Sequence, residues 1–385
     1  MRGQDEIRAL FSLKEASAMA REPGVAAAID AVDRYLASAS GPGRFRLARN
    51  SADAGPDVTA YRGLASIGVT QAFIPEAHGG SGLAPGAAIL IGERLGWALA
   101  REPFVENVVL PLALMQKLGR RAPVDAQEIP CVAWQEGAFA LPHAGGIATR
   151  ATARGDRLQI EGRKDFVMGA RASTQLIVLA SMSGDPALVC VPAVEVKRKD
   201  KRLADGTCWS ELEFDVTVDR DAVLATGPAC IEALAFALDL SNLALAGILH
   251  GLQSKILSMT LDYLGTRKQF DRPLASFQAL QHRAVDLYSH AQIARFLLGE
   301  AADAADDGVA ARTLAAYASR AKARTADSAL RIAKEGIQMH GAIGFSDEYD
   351  LGLYVKRILV LSAWLGGAQW HRQRFASLDT LAVAA

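Results

Sequence analysis

Hydrophobic residues recur at helical spacing along the first third of the chain, up to about residue 125. Two stretches interrupt this pattern, namely Pro42-Gly43 and a glycine-rich loop from His78 to Gly82. An apolar segment from Ala87 to Leu99 follows the loop and is long enough for a buried helix. The pattern predicts an N-terminal helical domain over residues 1–125.

The spacing changes between residues 126 and 223. Short apolar runs with two-residue alternation appear there, the clearest being 175–180, 187–191 and 212–218. Arg154-Gly155-Asp156 and Ser183-Gly184-Asp185 have the composition of hairpin turns. The middle of the chain is therefore predicted to be a small antiparallel β-domain.

Helical spacing returns after residue 224 in longer segments rich in Ala and Leu. Asp306-Asp307-Gly308 is the one clear turn between two of these segments. Long helices joined by short turns indicate an antiparallel bundle, here a four-helix bundle over residues 224–385. The predicted fold class is α+β, in the order helices, strands, helices.

The balance of charges along the chain argues against nucleic acid and anionic membranes as partners. The chain has 42 basic and 42 acidic residues, so it carries no net field to hold a nucleic-acid backbone or an anionic membrane surface. We expect neither nucleic acid nor a membrane span, and any anionic ligand must meet local charge. The longest apolar run, 230–252, contains Glu232, Asp239, Asn242 and His250 and is interpreted as a core helix.

Cysteine usage points to the compartment. The four cysteines are scattered without CxxC spacing, and no basic segment precedes an apolar one at the N-terminus. Reduced, buried thiols and a cytoplasmic location are the expectation.

The predicted helical domain and the predicted β-domain each contain short sequence motifs. Residues 74–82 read I-P-E-A-H-G-G-S-G, and residues 92–96 (G-E-R-L-G) and 102–104 (E-P-F) follow. In the middle region, residues 162–170 read G-R-K-D-F-V-M-G-A.

Two longer motifs lie in the C-terminal region. Residues 267–274 read R-K-Q-F-D-R-P-L and continue at 277–282 as F-Q-A-L-Q-H, while residues 338–345 read Q-M-H-G-A-I-G-F. Taken together, the motifs resemble the acyl-CoA dehydrogenase family along nearly the whole chain. The resemblance implies that FAD is held between the β-domain and the C-terminal bundle.

The FAD pyrophosphate is a dianion, and a globally neutral protein needs a fixed cation to meet it. Arg267 can present a bidentate fork to the pyrophosphate, and Gln278 can offer a donor and an acceptor to the adenosine half. The resemblance implies that such an arginine and glutamine reach the cofactor of the neighbouring subunit. The complete set of cofactor positions that it implies is Arg267, Gln269, Phe270, Gln278, Gln338, Gly341, Ala342, Phe166 and Met168.

Several of these motif residues also have purely structural interpretations. Phe270 is interpreted first as a packing residue, and Trp364 as a core residue. His282 and His340 have no Ser, Cys or second His at a spacing typical of a triad or a metal site, so we expect hydrogen-bonded structural roles and no metal.

Dehydrogenation of an acyl thioester needs a base for the α-proton, commonly a carboxylate in a dry pocket. The family supplies this base from one of two places, and the matching positions here are Leu365 and Ser241, with Asn242 where an arginine is usual. Met168 stands where a threonine often faces the flavin. Neither leucine nor serine can abstract the proton unaided.

Three alternatives remain open. A relocated carboxylate could act as base, with Asp239 as the nearest candidate on the same helix as Ser241. The chain could instead be the base-less subunit of a heteromer, or an inactive scaffold. The simultaneous loss of the base and of the arginine favours the second alternative, and the retained FAD motifs count against the third. The second alternative is a dehydrogenase subunit with an acyl-CoA thioester substrate, an electron-transfer flavoprotein-like acceptor and a homologous partner chain.

Overall fold

The computed structural model describes residues 12–13, 22–51, 58–121, 126–137, 139–141 and 146–378. Its N-terminal part is helical, as predicted, because apolar residues there face one side of each segment, for example Val25, Ile29, Val32 and Leu36 in the first helix. The helices are α1 (Pro23–Ala39), α2 (Pro42–Asn50), α3 (Val58–Ser66), α4 (Ala87–Trp97) and α5 (Leu110–Lys117).

The middle part is a sheet of eight strands, in agreement with the predicted β-domain. The strands are β1 (Pro130–Ala133), β2 (Arg150–Arg154), β3 (Arg157–Met168), β4 (Gln175–Met182), β5 (Asp185–Pro192), β6 (Lys197–Arg202), β7 (Cys208–Asp219) and β8 (Val223–Thr226). They lie in the order β6-β7-β3-β2-β4-β5-β8, with β1 beside β4. Both predicted hairpin turns are confirmed, and Gly155 and Gly184 adopt the positive φ that such turns need.

The sheet is mixed rather than purely antiparallel, which corrects the sequence-based expectation. β1 pairs with β4 in parallel, and Arg150 of β2 pairs in parallel with Ser181 of β4. The chain leaves β1 and returns to β4 only after the β2–β3 hairpin, and such a long crossover permits parallel pairing. Alternating side chains of the strands form one apolar core, including Ile160, Val178 and Phe214.

The edges of the sheet are polar or short. β6 consists of Lys197, Arg198, Lys199, Asp200, Lys201 and Arg202, and it pairs with β7 along one side only. β8, at the other end of the order, has four residues.

The C-terminal part is a helical bundle, as predicted. Its described helices are α6 (Pro228–Thr266), α7 (Gln278–Asp306), α8 (Ala311–His340), α9 (Leu351–Ala363) and α10 (Ala368–Ser377). α8 contacts α7, α9 and α10. The predicted turn at Asp306-Asp307-Gly308 joins α7 to α8, with Gly308 at a φ of 63°.

The chain forms two compact units. One contains the described residues up to Leu47 together with Ala84–Ala100 and those from Asn242 onward, and the other contains Ala48–Leu83 and Arg101–Ser241. The division into domains at 1–125, 126–223 and 224–385 stays a prediction. It follows the sequence pattern, whereas the two units are defined by contacts between residues.

Helices α4 and α6 pack backbone to backbone through two pairs of glycines. A Cβ at Gly92 or Gly96 would lie 2.5 Å from the Ala244 carbonyl oxygen or 2.0 Å from that of Ile248. The glycines of α6 face α4 in the same way: a Cβ at Gly247 would lie 2.3 Å from the Ile89 carbonyl oxygen, and one at Gly251 would lie 2.1 Å from that of Glu93. Only glycine permits this approach.

Glu93 is buried at the same contact between α4 and α6. Its Oε1 accepts a hydrogen bond of 2.8 Å from the backbone N–H of Leu13 and lies 3.6 Å from Nε2 of His250. Gln253 is hydrogen-bonded to the other ring nitrogen of His250 at 2.9 Å. The glycine contact therefore encloses a hydrogen-bonded polar cluster in an otherwise apolar core.

A buried ion pair ties β3 to the segment that follows β1. The Lys164 side chain is fully buried and pairs with Glu136, whose carboxylate also accepts hydrogen bonds from Ala148 N–H at 2.7 Å and from Thr149 N–H at 2.9 Å. Burial tends to raise the pKa of Glu136, but these hydrogen bonds and the lysine lower it below its ordinary value. Burial lowers the pKa of Lys164 to about 8 despite the carboxylate beside it.

Two segments are apolar and long enough to cross a membrane by length and composition alone, Pro228–Thr266 and Leu351–Ser377. In the fold, 72% and 50% of their most apolar windows are buried. Buried apolar helices of this kind also occur in the cores of soluble proteins.

Substituting Gly251 tests the glycine contact. Gly251→Ala should lower the free energy of unfolding by about 1–3 kcal/mol, since the new methyl group overlaps the α4 backbone. Gly265→Ala is the matched control on the same helix, because a Cβ there meets nothing within 4 Å. Equal urea midpoints for the two variants would contradict the contact.

Removing the carboxylate from the buried ion pair should destabilise the protein. Glu136→Gln leaves the Lys164 ammonium unpaired, so we expect a loss of about 3–5 kcal/mol at pH 7. The Glu136 carboxylate raises the folded pKa of Lys164 against the effect of burial, and the balance is about 8, so the folded pKa falls lower in Glu136→Gln. The two unfolded chains titrate alike, so the penalty should shrink as the pH rises towards 8, where only the variant has lost the lysine proton, and should stay constant above it. Glu161→Gln on the exposed side of β3 is the control; a loss independent of pH would argue against the assignment.

Candidate functional site

The predicted arginine lies where α6 ends. Arg267 is exposed, and its backbone N–H donates to Tyr263 O at 2.8 Å, while Leu274 N–H returns to Arg267 O at 2.8 Å. Between them, β9 (Lys268–Gln269) and β10 (Arg272–Pro273) form a small hairpin. The hairpin thus presents the Arg267 side chain at the surface, at a fixed point of the backbone.

Two residues at the tip of this hairpin have left-handed backbones. Phe270 and Asp271 have φ values of 51° and 59°, a conformation that favours glycine or asparagine in a two-residue turn. Phe270 is 86% exposed, and Arg272 lies over the ring of Phe277 at 4.0 Å. Phe270 is therefore not a core packing residue of this chain. Its ring has an edge contact with Phe277, at a centroid distance of 6.2 Å.

The second motif forms the C-terminal end of α8. Gly341 follows the last helical residue with φ 65° and ψ −141°, values that an L-residue with a side chain rarely adopts. The short 3₁₀ helix Gly341–Phe345 continues from it, and Gln338, Gly341 and Ala342 are exposed. The glycine therefore lets the chain turn and leaves its backbone open to solvent.

His340 connects these two regions. Its ring stacks on Tyr263 with centroids 4.5 Å apart, Nδ1 is hydrogen-bonded to Gly336 O at 2.7 Å, and Nε2 to Tyr349 Oη at 3.2 Å. Burial lowers the pKa of His340, so the ring is neutral at physiological pH. Because Tyr263 lies one turn before Arg267, the histidine holds the arginine hairpin beside the Gly341 turn.

Three polar side chains of this region have no hydrogen-bond or ionic partner among the described residues: Arg267, Gln278 and Gln338. All three are exposed. Within one unit, the fold thus brings the arginine hairpin and the glycine turn together, and places Gln278 at the first residue of the helix that follows the hairpin. Gln269 is exposed and its side chain donates to Lys268 O at 3.0 Å.

The other unit holds Phe166 and Met168 at the end of β3. The register between β3 and β7 shifts between Lys164 and Val167, and Phe166 has a φ of 56°. The bulge exposes 42% of the Phe166 ring, which packs on Trp209 with centroids 4.5 Å apart. Met168 is buried, and its carbonyl accepts a hydrogen bond from Cys131 Sγ at 3.1 Å. Sequence reasoning missed Trp209, which belongs to no motif.

A cavity of about 340 Å³ lies in the same unit, after β1. Glu136 lines it together with Trp134, Gln135, Ile147 and Leu179. Residues 142–145, which lie in sequence between the lining residues Leu141 and Gly146, are outside the described part of the chain.

The two base positions offer no proton-abstracting group. Ser241 is buried in α6, and its hydroxyl donates to Ala237 O of the same helix at 2.7 Å. Leu365 is 3% exposed in the turn between α9 and α10. Asp239, the alternative base, is a buried residue of α6 two positions before Ser241.

The turn containing Leu365 is held by two buried side chains that sequence reasoning did not single out. Lys322 of α8 donates to three of its carbonyl oxygens, and Nε2 of His371 of α10 is hydrogen-bonded to Leu365 O at 3.0 Å. The sequence signal that could have identified Lys322 is its position, as a charged residue, on the alanine-rich face of α8. No group of three metal-ligating side chains occurs in the described part of the chain.

Comparison with known proteins agrees with the motifs. The family description "Acyl-CoA dehydrogenase, C-terminal domain" matches residues 232–377. Acyl-CoA dehydrogenase IpdE2 of Mycobacterium tuberculosis is 29% identical over 329 residues, or 85% of this chain and 88% of the relative.

Solved structures share the whole fold. The Tcur3481-Tcur3483 steroid ACAD G363A variant has 28% identity and a TM-score of 0.78, over 94% of this chain and 99% of that one. The ChsE4-ChsE5 complex from Mycobacterium tuberculosis has 22% identity and a TM-score of 0.80, over 94% and 97%. Motifs, fold and relatives agree that the chain belongs to the acyl-CoA dehydrogenase family of oxidoreductases.

Proposed function

We propose that this chain is an FAD-binding subunit of an acyl-CoA dehydrogenase and works with a homologous chain that carries the catalytic base. One observation carries the proposal. The cofactor motifs around Arg267 and Gly341 are intact and adjacent, while the base positions hold Leu365 and Ser241. The substrate class is an acyl-CoA thioester, and the electron acceptor is an electron-transfer flavoprotein or a similar protein.

The C-terminal region has the chemistry that FAD requires. Arg267 would hold the pyrophosphate with a guanidinium that no described residue neutralises, and Gln278 and Gln338 would supply hydrogen bonds. Phe270 would offer its exposed ring to a flat partner. When bound, FAD accepts the hydride from the β-carbon of the acyl chain.

The proton half of the reaction is missing from this chain. The Leu365 side chain has no ionisable group, and the Ser241 hydroxyl is directed into its own helix. In the proposed assembly the α-proton is taken by a carboxylate of the partner chain. The names of two structural neighbours, Tcur3481-Tcur3483 and ChsE4-ChsE5, each give a pair of different chains, which supports a heteromeric assembly.

Exposed apolar side chains support association through the C-terminal part. Most of the large hydrophobic residues exposed in the described chain belong to the unit containing the bundle. They include Val285, Tyr288, Ile293 and Phe296, which recur along one side of α7. Exposed apolar surface of this extent marks contact with another protein. The location that we propose is cytoplasmic, in keeping with four free cysteines.

Substituting Arg267 tests the cofactor assignment. Arg267→Ala removes a charge-assisted contact of about 1.5–3 kcal/mol, so retention of FAD by the assembled complex should fall about 10- to 150-fold. The measurement is flavin absorbance after exhaustive dialysis. Arg44→Ala, an exposed arginine of the same unit, is the control. Unchanged flavin content in Arg267→Ala would contradict the role of Arg267.

Activity and composition of the assembly test the missing base. The purified chain alone should show little or no acyl-CoA dehydrogenation, and co-expression with a base-bearing homologue should give a heterotetramer with fewer flavins than subunits. Native mass spectrometry and flavin quantification measure both. A homotetramer with one FAD per chain and robust turnover would instead favour a relocated base, and Asp239→Asn would then show whether that carboxylate provides it.

A further inference from the structure

The turn from Ser362 to Gly367 has a backbone that its own residues do not favour. Leu365 has a φ of 56° and Gly366 a φ of 99°. For a leucine this left-handed conformation costs about 1–3 kcal/mol and persists only where the surroundings impose it. Some contact outside the turn must therefore hold it.

Lys322 provides the main contact. Its side chain is completely buried, and Nζ lies 3.2 Å from Ser362 O, 2.9 Å from Trp364 O and 3.0 Å from Gly366 O. An ammonium group has three N–H donors, one for each of these carbonyls. All three carbonyl oxygens receive an N–H donor only while the lysine is charged.

His371 holds a fourth carbonyl of the turn, that of Leu365. Burial, and next the nearby Lys322, lower the pKa of His371 to about 3, so the ring is neutral and donates from Nε2 to Leu365 O. Two buried side chains from α8 and α10 thus engage the carbonyls at 362, 364, 365 and 366. These contacts hold the turn through its backbone carbonyls, including that of Leu365.

No described acidic side chain pairs with Lys322. Several charged and titratable groups on neighbouring elements are paired with other partners or are cationic. They are Glu300 of α7 against Arg320, His290 of α7 against Arg324, Arg372 of α10 against Asp327, Arg374 of α10 against Ser319, the buried Arg357 of α9, and His371. A buried ammonium is thus stabilised by backbone carbonyls alone.

We propose that Lys322 is a positioning residue that, as an ammonium, clamps the turn at position 365 and loosens it on deprotonation. The clamp is independent of cofactor and partner. Its meaning for catalysis rests on the proposed function, in which position 365 is the family's base position: the backbone there is held in place although the residue is leucine.

Titration makes the clamp testable near neutral pH. Burial lowers the pKa of Lys322 to about 7. The neutral amine has two N–H donors for three carbonyls, so one hydrogen bond is lost above this pH. A lost bond to a charged donor corresponds to about a tenfold change in local protection.

Hydrogen–deuterium exchange of the full chain measures this directly. Protection of residues 360–371, corrected for intrinsic exchange, should fall about tenfold between pH 6 and 8.5. The β2–β3 turn around Gly155 is the internal control and should stay unchanged. Lys322→Arg, which stays charged, should remove the pH dependence, and Lys322→Met should give low protection at every pH.

A wild-type profile flat from pH 6 to 8.5, or wild-type protection in Lys322→Met, would overturn the proposal. If either variant fails to fold by circular dichroism, the wild-type profile alone decides. The measurement needs neither flavin nor turnover, so its failure is distinguishable from loss of FAD in Arg267→Ala, which bears on the proposed function.

Discussion

The close contact between α4 and α6 is the constraint on which the arrangement of the C-terminal unit depends. Four glycines bring the two backbones together, and a side chain at any of them would separate the helices. α6 has 39 residues, which is about 58 Å of helix. Because its path is fixed by the glycines, so is the place where it ends, and that place is the arginine hairpin. Tyr263 and His340 then set the Gly341 turn beside the hairpin.

In the proposed function, this chain separates two properties that a complete dehydrogenase combines. Groups able to bind a dinucleotide are exposed, and most of their hydrogen-bonding capacity is unused within the described protein. The positions from which a base would act are buried and hold residues without a proton acceptor, yet the turn at Leu365 keeps a conformation that leucine itself disfavours. The left-handed backbone of Leu365 would relax if no buried group held it, and Lys322 and His371 hold it through the carbonyls of the turn.

Local patterns made much of the fold predictable. Helical and alternating spacing gave the order of helices and strands, and the glycines at 155, 184 and 308 marked turns because each of these turns needs a positive φ. The parallel pairing of β1 with β4 was missed, since a strand's own residues do not state which strand lies beside it. Lys164 with Glu136, and Lys322 with its carbonyls, were missed for the same reason: partners 28 and about 40 residues apart become neighbours only in the fold. Phe166 and Phe270 were named from motifs, but their left-handed backbones could not be foreseen.

The basic strand β6 has a consequence for how this protein can associate. An exposed sheet edge offers unpaired backbone groups to any other strand, and natural proteins blunt such edges with charge or with short strands. Here one edge of the described sheet carries five cations in six residues, and the other is a strand of four residues. A second copy approaching edge to edge meets like charge or too few hydrogen bonds. The sheet edges therefore disfavour strand pairing between chains, while the exposed apolar side of α7 can still contact another protein. Association through a helix does not extend a sheet, so it does not lead to fibres.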